Sequence, residues 1–576
     1  MTAVRPDESV VDDHRAERDL LARVLDTLLR EDFQQIRSTG TRTGDRLRFR
    51  LGPHDAELSV RPGRFLSPIE VREPVLVVDG QPYRGLAEVL GRLRAGVDPA
   101  DLPGFDDFTV ECAQTLNTVR SQQEHRADTL GLLAGATRRG PAGSLYYDTL
   151  AAYLDHPVYP TGRCRFDLSQ PELRRYAPEF HPLFALRWLS LPAESVDRQG
   201  VLPDWWPTDG DRAVFPVHPL TADRALAGAL REAGLTDARE LTDVPARPVM
   251  PTLSMRTVAV LDDPTTHVKL PLPTSTLGRR NRRGIKPGTL PDGAITQRLL
   301  TEVLAREARF PGRVLLADEQ TYGQGGHDQL AYLVRRHPDT LADTEIVALA
   351  ALLAPAPDGR LVLHDLADRY FAGEPFALLD ACLELLFDWQ ATLLTYGIAL
   401  ESHQQNISLL LDRAGGRTRT RLLFRDNDGP RLHQARLTDT LGPAALSAAG
   451  LAELDDTRML VDSLDPLLDM FITITVHLCA AAPMFALARR QTGEAAARAE
   501  LHTGLQLIRA RLEEASRRCS AADARLLRAR LLDADTLPVK AMVTAGTLLT
   551  KQRSGAVDIN KFYLRSGPNY LRTDGR

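Results

Sequence analysis

Two polar runs bracket a pair of apolar segments in the last third of the chain. Glu401, Ser402, His403, Gln404, Gln405 and Asn406 precede the apolar run 407–411, and Arg425, Asp426, Asn427 and Asp428 follow a second one, 422–424. A Gly-Gly pair between the runs, Gly415 and Gly416, reads as the turn of a hairpin. Such a hairpin carries His, Asn and Asp side chains to one of its ends. Hard oxygen ligands hold Mg²⁺ and nearby donors meet phosphates, so this end suits metal-assisted phosphate chemistry. Taken alone, the stretch also reads as an ordinary hairpin with a polar surface loop.

Two earlier stretches share that chemistry. In HPVYPTGRCRFDLS, Pro157, Pro160 and Gly162 rule out a regular helix or central strand. What remains is a shaped loop carrying His156, Thr161, Arg163 and Arg165, a form that can cradle phosphate; Pro-Gly turns beside an Arg are also common without any ligand. Between 251 and 283, the pattern predicts strands over 255–261 and 267–272 joined by a turn at 262–265. Alternation puts His267 and Lys269 on one face of the second strand, and Ser254 and Arg256 on one face of the first. Arg279, Arg280, Arg282 and Arg283 follow at once. A lone Lys on a strand is ordinarily just solvated, but this density in a chain of net charge −5 calls for an anionic partner. No aromatics interleave with the cations, which argues against single-stranded nucleic acid. The Gly-rich run 323–326 lacks phosphate-loop spacing and reads as a turn between strands 314–317 and 330–334.

The elements that must position these residues are legible in outline. Apolar residues three and four apart predict a helix over 375–396, stopped by Gly397. Helices are expected over 9–33, 105–133, 460–487, 495–515 and 521–532, and strands over 46–51, 75–78 and 213–217. Nothing before Gly143 carries a chemical pattern, and 140–143 reads as a boundary. Trp188, Trp205 and Trp206 read as core; Lys540, Lys551 and Arg553 could reach a site but read more readily as surface charges. A chain of 576 residues implies two to four domains. The five cysteines form no Cys-x-x-Cys pair, which argues against structural zinc and a disulfide framework and fits a reducing cytoplasm. The opening residues lack an apolar signal core, and the apolar stretch 476–487 is too short to span a bilayer.

HPVYPTGR, PTLSMRT, HVKLPL and ESHQQN with RDNDG occur in that order. As a set they resemble the NRPS-independent siderophore synthetases, the aerobactin synthetase-like (IucA/IucC) family, from about residue 146 onward. The resemblance implies an α+β multidomain cradle. Its parts would be a mixed N-terminal accessory domain (1–145, thumb-like), a β-rich ATP-binding domain (146–372, fingers-like) and a mostly helical, distantly kinase-like C-terminal domain (373–576, palm-like). It implies ATP and Mg²⁺ as cofactors. The implied reaction adenylates a carboxylate of citrate or a related polycarboxylic acid, then joins it to an amine or alcohol as an amide or ester, releasing AMP and pyrophosphate.

Carried over by motif, Ser254, Met255, Arg256 and Thr257 hold ATP, and Thr161, Gly162 and Arg163 hold its phosphates. Lys269 meets both phosphate and carboxylate. His403, Gln405, Lys269 and Arg283 serve the reacting centre, and Asn406 and Asp426 lie near Mg²⁺. His156, Thr276 and His403 hold the acid together with Arg280 or Arg283, between which the spacing does not choose. Tyr159 and Arg163 stand where the family often has His and Lys. The partners implied are small molecules, with no nucleic acid and no membrane; a homodimer is compatible. Two other readings stay open. A kinase-like phosphotransferase would use the same His403, Asn406 and Asp426 but release ADP, and no GxGxxG loop precedes the hairpin. A non-catalytic acid-binding protein would need those residues to be dispensable.

Overall fold

The structure is a computed structural model and describes residues 8–555 and 562–572. The helix Glu8–Arg30 turns Leu21, Val24, Leu25 and Leu28 inward. It packs on a five-stranded antiparallel sheet whose spatial order follows the chain, Thr41–Thr43, Arg46–Leu51, His54–Pro62, Ile69–Val78 and Gln81–Tyr83. Arg46–Leu51 lies where alternation predicts it, with Leu47, Phe49 and Leu51 buried and the arginines outside. The helix expected from 105 begins a turn earlier, as Leu102–Leu133. Residues 140–143, read as a boundary, are instead the first turn of the buried helix Gly140–Ala151.

The centre is a seven-stranded antiparallel sheet in the order Phe184–Ala185, Pro248–Pro251, Thr257–Val260, Asp263–Lys269, Ala331–Arg336, Asp318–Gln324 and Asp197–Gln199. A three-stranded sheet that includes Ala213–Val217 packs beside it, and Trp188, Trp206, Phe215 and Tyr332 fill the space between. The strand expected over 255–261 is shorter, because 252–256 form a turn in which Met255 is left-handed at φ 64°. Its partner starts at Asp263 and stops at Lys269, where Pro271 and Pro273 remove ladder donors. The strand expected over 314–317 also takes another partner. Val314–Leu316 pairs in parallel with Arg417–Phe424, while Asp318–Gln324 forms the hairpin with Ala331–Arg336.

Helix Pro375–Tyr396 has the expected bounds, and Gly397 at φ 83° ends it. The hairpin Ile407–Ala414 with Arg417–Phe424 pairs Ile407 opposite Phe424, closed by Gly415 and Gly416 at φ 56° and 76°, the signs a two-residue type I′ turn needs. Its sheet also holds Val314–Leu316 and Glu345–Ala348, so strands from both sides of residue 372 share one ladder. The helix expected over 460–487 begins at Asp465, after the short strand Leu460–Val461, and runs to Ala488 with π-type turns over Phe471–Ala481. It is long and apolar enough to cross a membrane, but 94% of its apolar window is buried inside the protein. One apolar core runs from Leu20 through Phe105 and Trp389 to Leu571, joining the N-terminal layer to the C-terminal helices. All five cysteines are free.

Candidate active site

A cavity of about 470 Å³ opens where the chemistry-bearing stretches converge. Its wall includes His156, Gly162, Arg163, Ser254, Arg256, Thr257, Thr276, Arg283, His403, Gln405, Asn406, Asp426 and Asp428. In all, nine cationic side chains line it against four carboxylates. In a chain that is acidic overall, that imbalance is a local field for anions.

The hairpin end is the most constrained part. Asp426 takes a left-handed backbone at φ 64°, a costly conformation for a non-glycine residue that its surroundings enforce. Its backbone N–H donates to Glu319 Oε1 at 2.8 Å, and Arg335, ion-paired to Glu319, also reaches its carboxylate at 3.4 Å. Burial alone would raise the Asp426 carboxyl; Lys269, Arg335 and Arg256 instead hold it far below the ordinary carboxylate range. Lys269 Nζ bonds Asp426 and, at 2.8 Å, Asp428. Lys269, expected to meet phosphate and carboxylate, here meets these two carboxylates of the chain itself. Its side chain is only 3% exposed and does not line the cavity, so it sets the two aspartates from behind. Asn406 lies at the same end, where its backbone carbonyl accepts from Arg425 N at 3.1 Å.

The polar loop before the hairpin is built to present its histidine. Asn406 N donates to His403 O at 2.8 Å, Ala350 N to Gln404 O at 3.0 Å, and Gln390 Nε2 to Ser402 Oγ at 2.8 Å, fixing the loop to the long helix. Arg425 donates to Gln405 O at 2.8 Å, tying the loop to the strand end. His403 Nδ1 accepts from Gln405 N at 3.3 Å. His156 Nδ1 likewise accepts from Val158 N and Tyr159 N at 3.3 and 3.0 Å. Each ring is therefore left with Nε2–H as a donor. Burial, with His403 and the Arg23 charge nearby, lowers His156 to about 3; burial also lowers His403, although Glu401 and Asp426 oppose it. Both rings are neutral donors at neutral pH.

The 156–165 loop is held from the N-terminal layer. Arg23 donates to the carbonyls of His156 and Tyr159 at 3.2 and 3.0 Å, and Arg30 to that of Val158 at 2.5 Å. Arg163 lines the cavity but is tied to Gln122, Tyr153 O and Asp155. Thr161 does not line it; its hydroxyl is buried and donates to Glu111 Oε1 at 2.8 Å. In the 252–257 turn, Ser254 Oγ accepts from Thr257 N at 3.1 Å, and Ser254 and Arg256 reach the cavity. Met255 does not, because its side chain packs in the central core. His267 shares the Lys269 face as expected but lies buried against His337, with ring centroids 4.4 Å apart.

The structure separates the two arginines between which spacing could not choose. Arg283 lines the cavity, where burial and the Arg256 and Arg165 guanidiniums push its pKa down, a strain that an anion relieves. Arg280 is turned away and caps helix carbonyls: it donates to those of Ala545 and Thr547 at 3.2 and 3.3 Å, and to that of Leu549. Lys540 corrects the sequence reading in the other direction. It is buried, lines the cavity and sits 3.3 Å from Glu401 Oε1. Sequence reasoning also missed Arg335 and Arg425 as cavity residues, and the carbonyl clamps of Arg23 and Arg30. Arg425 directly precedes Asp426 and Arg335 extends an apolar run, while Arg23 and Arg30, two turns apart, share a helix face; those signals were present.

Asp426, Asp428 and Asn406 offer hard oxygens at one end of the cavity. No cluster of three or more His, Cys, Asp or Glu groups fit for a metal occurs among the described residues. Two carboxylates and an amide suit Mg²⁺, which takes few protein ligands and completes its shell with phosphate and water.

Residues 146–354 match the family model for the IucA / IucC family, and residues 377–555 match that for a ferric iron reductase FhuF-like transporter. Staphyloferrin B synthase of Staphylococcus aureus is 24% identical over 323 residues, 50% of this chain and 54% of that protein. The chain spans about half the length of the curated relatives it matches. The petrobactin biosynthesis protein AsbB from Bacillus anthracis superposes with a TM-score of 0.75 at 16% identity, covering 98% of this chain and 96% of that one. The ATP-bound aerobactin synthetase IucA of Klebsiella pneumoniae superposes with a TM-score of 0.69 at 18% identity, covering 96% and 100%. The mixed α+β fold is therefore that of these proteins, and residues 146–354, which hold the first three of the four motif stretches, are similar to the IucA / IucC family.

Proposed function

We propose that this chain, which carries the IucA/IucC family domain over residues 146–354, is an ATP-dependent siderophore synthetase. It adenylates a carboxylate of citrate or a related polycarboxylic acid and condenses it with an amine or alcohol. The observation that carries this reading is the cationic cavity with two aspartates at one end and two neutral histidine donors on its wall. The match to an ATP-bound synthetase supports ATP as the nucleotide.

A carboxylate resists an amine because oxide would have to leave; adenylation substitutes AMP as leaving group. One carboxylate oxygen attacks the α-phosphorus and the bond to pyrophosphate breaks. The amine then attacks the acyl carbon, the C–O bond to AMP breaks, and the amine proton passes to solvent. Both partners of the first step are polyanions, so repulsion must be cancelled before they meet. Arg256, with Ser254 and Thr257, seats the nucleotide, and Gly162 and Arg163 border its phosphates. Arg283 offers a carboxylate its two-pronged fork, joined by Thr276. The Nε2–H groups of His156 and His403 donate to oxygens that gain charge, with Gln405 beside them. Asp426, Asp428 and Asn406 would hold Mg²⁺, which neutralises phosphate charge when bound. Lys269 keeps the two aspartates in place.

Within this reading, residues 1–145, 146–372 and 373–576 serve as accessory, nucleotide-binding and metal-binding parts, the last distantly kinase-like in its helix, loop and hairpin order. The test is pyrophosphate release across a panel of citrate, 2-oxoglutarate and succinyl derivatives, with and without amines. Acid-dependent release supports the proposal, and acid-independent ATP cleavage contradicts it.

A further inference from the structure

Two histidines behind the site are used by none of the chemistry above. His267 and His337 lie at the central sheet with their rings edge to face, both buried, and none of their four ring nitrogens bonds another described residue. His267 sits directly opposite Arg335 in the ladder, two residues before Lys269. His337 follows Arg335 by two and continues that ladder, its N–H donating to Thr265 O at 2.8 Å. Opposite partners and residues two apart share one face of a sheet, so both rings stand on the face that carries Arg335 and Lys269. Burial lowers His337 to about 3 and His267 far below the usual imidazole range, and the Arg425 and Arg335 charges add to it in both. The two rings are therefore neutral and stand close to two guanidiniums.

Those guanidiniums set both ends of the site. Arg335 pairs with Glu319 and reaches Asp426 at 3.4 Å. Arg425 donates to Gln405 O at 2.8 Å and so holds the loop that carries His403. Burial lowers the Arg425 pKa, Asp148 opposes this, and the Arg335 charge adds to it, so the two cations repel. A neutral imidazole is a dipole with one bare nitrogen as its negative end, which softens such repulsion without adding a net charge. Stability alone does not explain the pair. Buried polar groups without partners are costly, and an apolar side chain of similar volume would be as stable there or more so.

We infer that His267 and His337 are positioning residues. As neutral dipoles they keep the Arg335 and Arg425 guanidiniums side by side, and through them hold Asp426 and the His403 loop in the geometry that adenylation needs. This inference rests on the synthetase reading for the step that is served, but not for the coupling to Asp426.

The test uses the full chain. His337→Leu should keep or raise Tm, while acid-dependent pyrophosphate release slows by roughly 10- to 100-fold, the scale for a group that orients a site residue. KM for the acid should stay unaltered, because Arg283 and Thr276 are untouched. His337→Gln restores a dipole and should recover part of the rate, and His267→Leu should behave as His337→Leu does. A second measurement needs no turnover: thermal melts of the wild type, His337→Leu, Asp426→Asn and the double variant. Asp426→Asn strands Arg335 and should lower Tm; it should lower it less where His337→Leu has already loosened that guanidinium. A His337→Leu chain that fails to fold or loses Tm, additive Tm changes, or unaltered turnover would each overturn the assignment. If no acid elicits pyrophosphate release, the synthetase reading falls, and the melts still decide the coupling to Asp426.

Discussion

Arg280 and Arg283 stand three residues apart and meet different partners, one helix carbonyls and the other a cavity. Arg280→Ala should therefore destabilise the protein by about 1–3 kcal/mol, the scale of lost charged hydrogen bonds, seen as a lower Tm with KM for the acid unaltered. Arg283→Lys keeps the charge but loses the fork, and should raise KM for the acid on the order of tenfold with little loss of Tm. The two aspartates rank differently. Asp426 is held by Lys269, Arg335 and a backbone bond to Glu319, whereas Asp428 meets Lys269 alone of these. In a Mg²⁺ titration of pyrophosphate release, Asp426→Asn should raise the metal requirement more than Asp428→Asn, and the reverse order would mean the metal sits further along the loop. His156 stays neutral down to about 3, so its titration adds no limb to the rate profile between about pH 5 and 8. His156→Gln, whose amide N–H can stand in for Nε2–H, should retain more activity than His156→Asn. At this scale the sequence disclosed which residue types gather but not which way they point. Met255 and Thr161 sit inside the right motifs yet face away, because one left-handed φ and one buried carboxylate turn them.

The elements behind the site were legible where one period dominates. Helix Pro375–Tyr396 and the hairpin after it follow from apolar spacing and a glycine turn. The parallel pairing of Val314–Leu316 with Arg417–Phe424 does not, because nothing local marks a partner a hundred residues away. The N-terminal layer, which carries no chemical pattern of its own, is bound to the site by buried charge. Glu111 on helix Leu102–Leu133 accepts from Thr161 Oγ1 at 2.8 Å and Thr547 Oγ1 at 3.0 Å, joining that helix to the cavity loop and to the C-terminal segment. Burial raises its carboxyl to about 7 despite these bonds. A folded pKa above the unfolded one means the folded state binds more protons between the two, so this contribution to stability is full below about 4.5 and is lost as pH rises through 7. The Tm advantage of the wild type over Glu111→Gln should accordingly shrink between pH 5 and pH 8. A constant difference would show that Glu111 does not titrate there.

Across the whole molecule, an acidic chain concentrates positive charge in one internal cavity and leaves two aspartates at its end. Composition and motif order made the anionic partner legible, but Lys540, read as surface charge, became a cavity residue only once the fold carried it in from the C-terminal strand. The cationic wall accounts for why two polyanions could meet, and the neutral histidines for how oxygens gaining charge could be met without a second net charge. What distinguishes acyl activation from phosphoryl transfer is which phosphorus is attacked. The direct measurement is the nucleotide product formed from ATP by the full chain with Mg²⁺, citrate and an amine, followed by phosphorus NMR. The account predicts AMP and pyrophosphate in equal amounts, dependent on the acid; ADP as the sole nucleotide product would contradict it.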